Sequence, residues 1–104
     1  MKKVSIAALA LCAISTNSFA VEYITGKVTI VEASYLPNSV YAQMDAGNSA
    51  CPAGTWLKWE KSAESNKGAY VTLLAAFLNN STVNFVINDG DTSCTGQFLH
   101  IRKP

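Results

Sequence analysis

The chain has a single histidine, His100, no Cys-x-x-Cys pair, no Gly-x-Ser-x-Gly element and no cluster of basic residues. Each absence removes a class of chemistry. One imidazole does not make a zinc site without other ligands at metal spacing. Without a nucleophile elbow or an activated cysteine, the familiar forms of covalent catalysis have no starting point. Lacking a basic patch, the chain has little with which to neutralise phosphates, so nucleic acid is not an expected partner. Nor is there a stretch of about 20 apolar residues, the length a membrane-spanning helix needs.

What is present begins with Met1-Lys2-Lys3, an apolar run from Val4 to Ile14, and Ser18-Phe19-Ala20. A basic start, a short apolar segment and small residues at the −3 and −1 positions describe a signal peptide. Residues 1–20 are therefore expected to be cleaved, leaving 21–104 as one domain that is secreted or periplasmic. Cys12 does not mark a lipoprotein, because Leu11 stands where a small residue should precede it. The remaining segment holds six basic and seven acidic residues, a formal charge of −1. It also holds two cysteines, Cys51 and Cys94, in a compartment where disulfides persist. A bridge closing about 40 residues is worth roughly 4 kcal/mol in the chain-entropy description. No cofactor or metal is expected.

Alternation of apolar and polar residues predicts strands. The first runs from Glu22 to Ala33, with Ile24, Val28 and Ile30 on one face and a bend at Gly26. Leu36-Pro37-Asn38-Ser39 is a turn, followed by a strand over Val40–Asp45. Ala46–Gly54 is a loop, and Thr55–Glu60 a third strand in which the pattern favours Trp59 as the buried tryptophan. Tyr70, Leu73, Leu74, Phe77 and Leu78 recur at helical spacing, predicting a helix over about 66–78. Ser62 or Ser65 caps its start and Asn79-Asn80 its end. Its other side, with Ala69, Val71, Thr72, Ala75 and Ala76, is small and nearly uncharged, which suits packing on a neighbouring subunit. Thr82–Asn88 and Cys94–Arg102 are the last two strands, joined through the Asn88-Asp89-Gly90-Asp91 turn.

The order is β-β-β-α-β-β. It resembles the OB-fold, so the expected architecture is a small five-stranded OB-like barrel, mainly β with one helix (α+β) and one disulfide. A narrower resemblance lies in Cys51-Pro52-Ala53-Gly54-Thr55-Trp56-Leu57-Lys58-Trp59, Tyr70–Phe77 and Val83-Asn84-Phe85-Val86-Ile87. These passages look like small exported proteins of Gram-negative bacteria. The helix-then-strand passage ending in a cysteine is also similar to the pentameric, glycan-binding B subunits of AB-type toxins, notably the subtilase-cytotoxin type. That resemblance implies a homo-oligomer assembled through the helix. It carries over no binding residue.

Candidate site residues come from the aromatics on outward faces and from the last turn. Tyr35, Tyr41 and Trp56 have apolar bodies and polar tips of the kind used by sugar and protein surfaces. Asn88, Asp89 and Asp91 offer oxygens around a glycine, although the spacing lacks the further ligands of a calcium loop. These six are the candidate binding set, for a glycan or a protein partner. No catalytic residue is assigned, and the expectation is a binding module and not an enzyme. The competing readings are a small secreted or periplasmic enzyme, or an inhibitor that presents the Ala46–Gly54 loop to a partner's active site.

Overall fold

The computed structural model describes residues 20–103. The proposed signal peptide lies almost entirely outside them. Among these described residues, six strands and one helix follow one another in the order β1 (Val21–Gly26), β2 (Val28–Glu32), β3 (Val40–Met44), β4 (Leu57–Trp59), α1 (Ala63–Asn79), β5 (Thr82–Asn88) and β6 (Gly96–Arg102). The strands form two antiparallel three-stranded sheets, ordered β1-β5-β6 and β2-β3-β4. The described residues are thus mainly β with one helix, as their periodicities imply. It is not a closed five-stranded barrel. The long first strand is two strands, one in each sheet, and the third is reduced to Leu57–Trp59.

The physical reason for the split lies at Gly26 and Lys27. A Cβ on Gly26 would stand 2.5 Å from Asp45 Oδ1 and 2.8 Å from Ala46 Cβ, so only glycine admits this approach. The Asp45 carboxylate accepts from Lys27 N–H at 2.8 Å, and Asp45 N–H donates to Lys27 C=O at 2.9 Å. The chain therefore turns from one sheet into the other at a pinned corner. A register shift between Val28 and Ile30 then reverses the alternation. Ile24 and Val28 are buried, but Ile30, expected beside them, is 42% exposed. At the other side a parallel bridge pairs Lys58 with Thr95, and Lys58 N–H donates to Cys94 C=O at 2.9 Å.

The core lies between the inner faces of the sheets and α1, around Ile24, Val40, Met44, Leu73, Phe85 and Ile87. Trp59 is buried and meets Phe85 edge to face, with ring centroids 6.4 Å apart. The Cys51–Cys94 disulfide forms, and both cysteines are buried. Helix α1 begins at Ser62, whose side chain accepts from Ser65 N–H, and ends at Asn80 in the left-handed conformation.

The buried stripe of α1 differs from the expected one. Asn66, Ala69, Leu73 and Ala76 face inward, whereas Leu78 is 71% exposed and Phe77 is also exposed. Two alanines from the supposed outer side pack inward because they let the helix lie close over β2 and β3. The outward side then carries Val71 and Leu78, with Leu74 half-buried between them. Among the described residues, no helix is long and apolar enough to cross a membrane.

Candidate functional site

Alternation along β3 puts Val40, Ala42 and Met44 into the core and turns Tyr41 and Gln43 outward. The pairing register sets Glu32 of β2 and Lys58 of β4 directly opposite Tyr41, so these three form one row across the outer face. Trp56, two residues before Lys58, stands on the same side, while Leu57 and Trp59 point inward. Tyr35 comes from the connection between β2 and β3.

That connection is held from beneath. Asn38 N–H donates to Tyr35 C=O at 2.9 Å, and Ser39 N–H reaches the same oxygen at 3.3 Å. The fully buried Asn66 of α1 donates through Nδ2 to Pro37 C=O at 2.8 Å and Asn38 C=O at 2.9 Å. Its Oδ1 accepts from Lys61 N–H at 2.8 Å. One amide thus ties the turn bearing Tyr35 to the start of the helix. Buried polar atoms must be paired, and here the pairing fixes an irregular loop.

Glu32, Tyr35, Tyr41 and Trp56 line a cavity of about 340 Å³. Tyr35 and Tyr41 have ring centroids 5.5 Å apart at an interplanar angle of 68°. Tyr41 and Trp56 are 6.4 Å apart at 86°. Both are edge-to-face geometries of the kind aromatic quadrupoles favour. The Ser34 hydroxyl donates to Glu32 Oε2, and among the described residues Oε1 accepts no hydrogen bond. Lys58, on the far side of Tyr41, places its Nζ 3.3 Å from Glu60 Oε1.

Three of the six sequence-derived candidates, Tyr35, Tyr41 and Trp56, therefore converge. Glu32 joins them without having been singled out. Its sole sequence signal is a carboxylate three residues before Tyr35, and its position opposite Tyr41 depends on a register that only pairing reveals. Asn88, Asp89 and Asp91 do not line the cavity. Their turn is built from internal contacts. Asp91 accepts from the Ser93 hydroxyl at 2.6 Å, Ser93 N–H at 2.8 Å and Thr95 N–H at 3.3 Å. The Ser93 side-chain bond, opposed by desolvation and aided by the two N–H donors and Lys58, holds this carboxyl below its ordinary range. Glu22 binds the same turn through Gly90 N–H at 2.6 Å and the 46–50 loop through Asn48 Nδ2 at 3.0 Å.

Among the described residues, no three His, Cys, Asp or Glu side chains group as metal ligands. His100 is exposed, with its ring centroid 6.3 Å from that of Tyr23. A second cavity, of about 320 Å³, lies between α1 and β6, lined by Trp59, Ser65, Gly68, Ala69, Thr72 and Leu99, without a charged side chain. No protein-family model, curated protein or solved structure matches the chain.

Proposed function

We propose that this protein is an exported, non-catalytic binding module that takes a glycan into the cavity formed by Glu32, Tyr35, Tyr41 and Trp56. The observation that supports the reading is the convergence of three polar-tipped aromatic rings and one carboxylate in a single cavity. Sugar C–H faces lie against such rings, and a carboxylate accepts from sugar hydroxyls. The intramolecular disulfide fits a periplasmic or extracellular setting. A glycan-array screen of the oxidised protein tests the reading, with Trp56→Ala alongside. Binding that Trp56→Ala abolishes, with thermal unfolding unchanged, supports it; an array without signal rejects it.

Self-association through α1 is a second proposal, favoured by the outward apolar residues Val71 and Leu78. Such a face on a helix is unusual beside bulk water. Sedimentation of the wild type and of Leu78→Glu tests it. An oligomer dissociated by the substitution supports the interface, and a monomeric wild type removes it.

A further inference from the structure

We infer that the group received by the Glu32–Tyr35–Tyr41–Trp56 cavity is an alkylammonium, so that the preferred sugar carries a free, protonated amine. This rests on the cavity being the ligand site. Among the described residues, its only charged lining residue is a carboxylate, Glu32. The Ser34 hydroxyl holds Oε2, leaving Oε1 to accept from a ligand. The nearest base in the same strand row, Lys58, lies outside the lining and has Glu60 as its partner at 3.3 Å. An acidic sugar would meet the Glu32 charge with no lining cation to offset it.

The rings point the same way. The face of an aromatic ring carries the negative part of its quadrupole, and cations rest against it. Tyr41 stands at 68° to Tyr35 and at 86° to Trp56, so the three rings enclose a corner and do not form one flat shelf. A rounded ammonium head fills a corner that a broad pyranose face does not. A hexosamine satisfies both demands, with its ring against the exposed Trp56 and its ammonium beside Glu32.

The test follows the Trp56 indole N–H by NMR in oxidised protein recovered from the periplasm of an expressing bacterium. Glucosamine, N-acetylglucosamine, glucose, N-acetylneuraminic acid and tetramethylammonium are titrated at low and high salt, into wild type and Glu32→Gln. Glucosamine and tetramethylammonium are expected to bind at least about fivefold more tightly than glucose, a gap that closes in Glu32→Gln and at high salt. Equal binding of glucosamine and glucose, insensitive to Glu32→Gln, overturns the ammonium inference and leaves the glycan reading standing. Tetramethylammonium binding without any sugar binding keeps the ammonium group and removes the glycan. Silence from every probe removes both. Should Glu32→Gln disturb the fold, the salt dependence of the wild type decides alone.

Discussion

Asn66→Ala tests whether one buried amide supports both the fold and the cavity. The wild-type side chain is fully buried, and its Nδ2 also reaches Lys61 C=O at 3.2 Å, so two N–H bonds serve three carbonyls. Truncation removes the buried amide that pairs the carbonyls of Pro37 and Asn38 and the N–H of Lys61, three residues whose own surfaces are exposed. Each lost bond costs about 0.5–1.5 kcal/mol where water can take the amide's place. For three such groups the loss is about 2–4 kcal/mol, against a total stability of roughly 4–12 kcal/mol for a domain of this size. That corresponds to a fall in melting temperature of roughly 10–25 °C. Urea unfolding of the oxidised protein, followed by near-UV circular dichroism, measures it. Asn66→Asp should be at least as harmful, because it directs a carboxylate at two carbonyl oxygens. A loss below about 1 kcal/mol for Asn66→Ala would refute the reasoning, since it would mean that the 35–39 turn holds itself.

The rotated helix face makes a paired prediction: Leu73→Ala should cost about 3 kcal/mol and Leu78→Ala no more than about 0.5 kcal/mol in the same assay, the reverse of equal contributions from one apolar stripe. Replacing both Cys51 and Cys94 by serine opens a link spanning 43 residues. Stability should fall by about 4 kcal/mol, seen as a lower urea midpoint that reducing agent reproduces in the wild type but not in the variant. The depressed carboxyl of Asp91 sets the sign of an acid effect. Its folded-state value lies below the unfolded one, so its contribution is complete above the ordinary value of 3.8 and is lost as pH falls through the folded value. Asp91→Asn should flatten the acid limb of a stability–pH profile; an unchanged limb would show that the turn does not depend on the charge.

Local chemistry was sufficient for much of this molecule. Alternation located β3 and β5, placed Tyr41 outside and favoured Trp59 over Trp56 as the buried ring, because a strand's two faces are written every second residue. Ser62 and Asn80 mark the ends of α1 through capping preferences that act within one turn. Beyond the expected signal peptide, two cysteines had one way to pair, and they do. The conjunction of Tyr35, Tyr41 and Trp56 followed in part from the same alternation.

Tertiary structure decided the rest. Whether Glu22–Ala33 was one strand or two depended on Gly26 meeting Asp45 and Ala46, residues about twenty positions away. The bulge that exposes Ile30 exists only relative to its partner strand. Which side of α1 was buried turned on how closely a helix can approach a sheet, and small side chains prevailed over the larger ones that hydropathy favours. Glu32 entered the cavity through the register opposite Tyr41, and Asn66 became the support of Tyr35 through carbonyls nearly thirty residues earlier in the chain. Periodicity records which way a side chain points; what stands opposite it is settled only when distant segments meet.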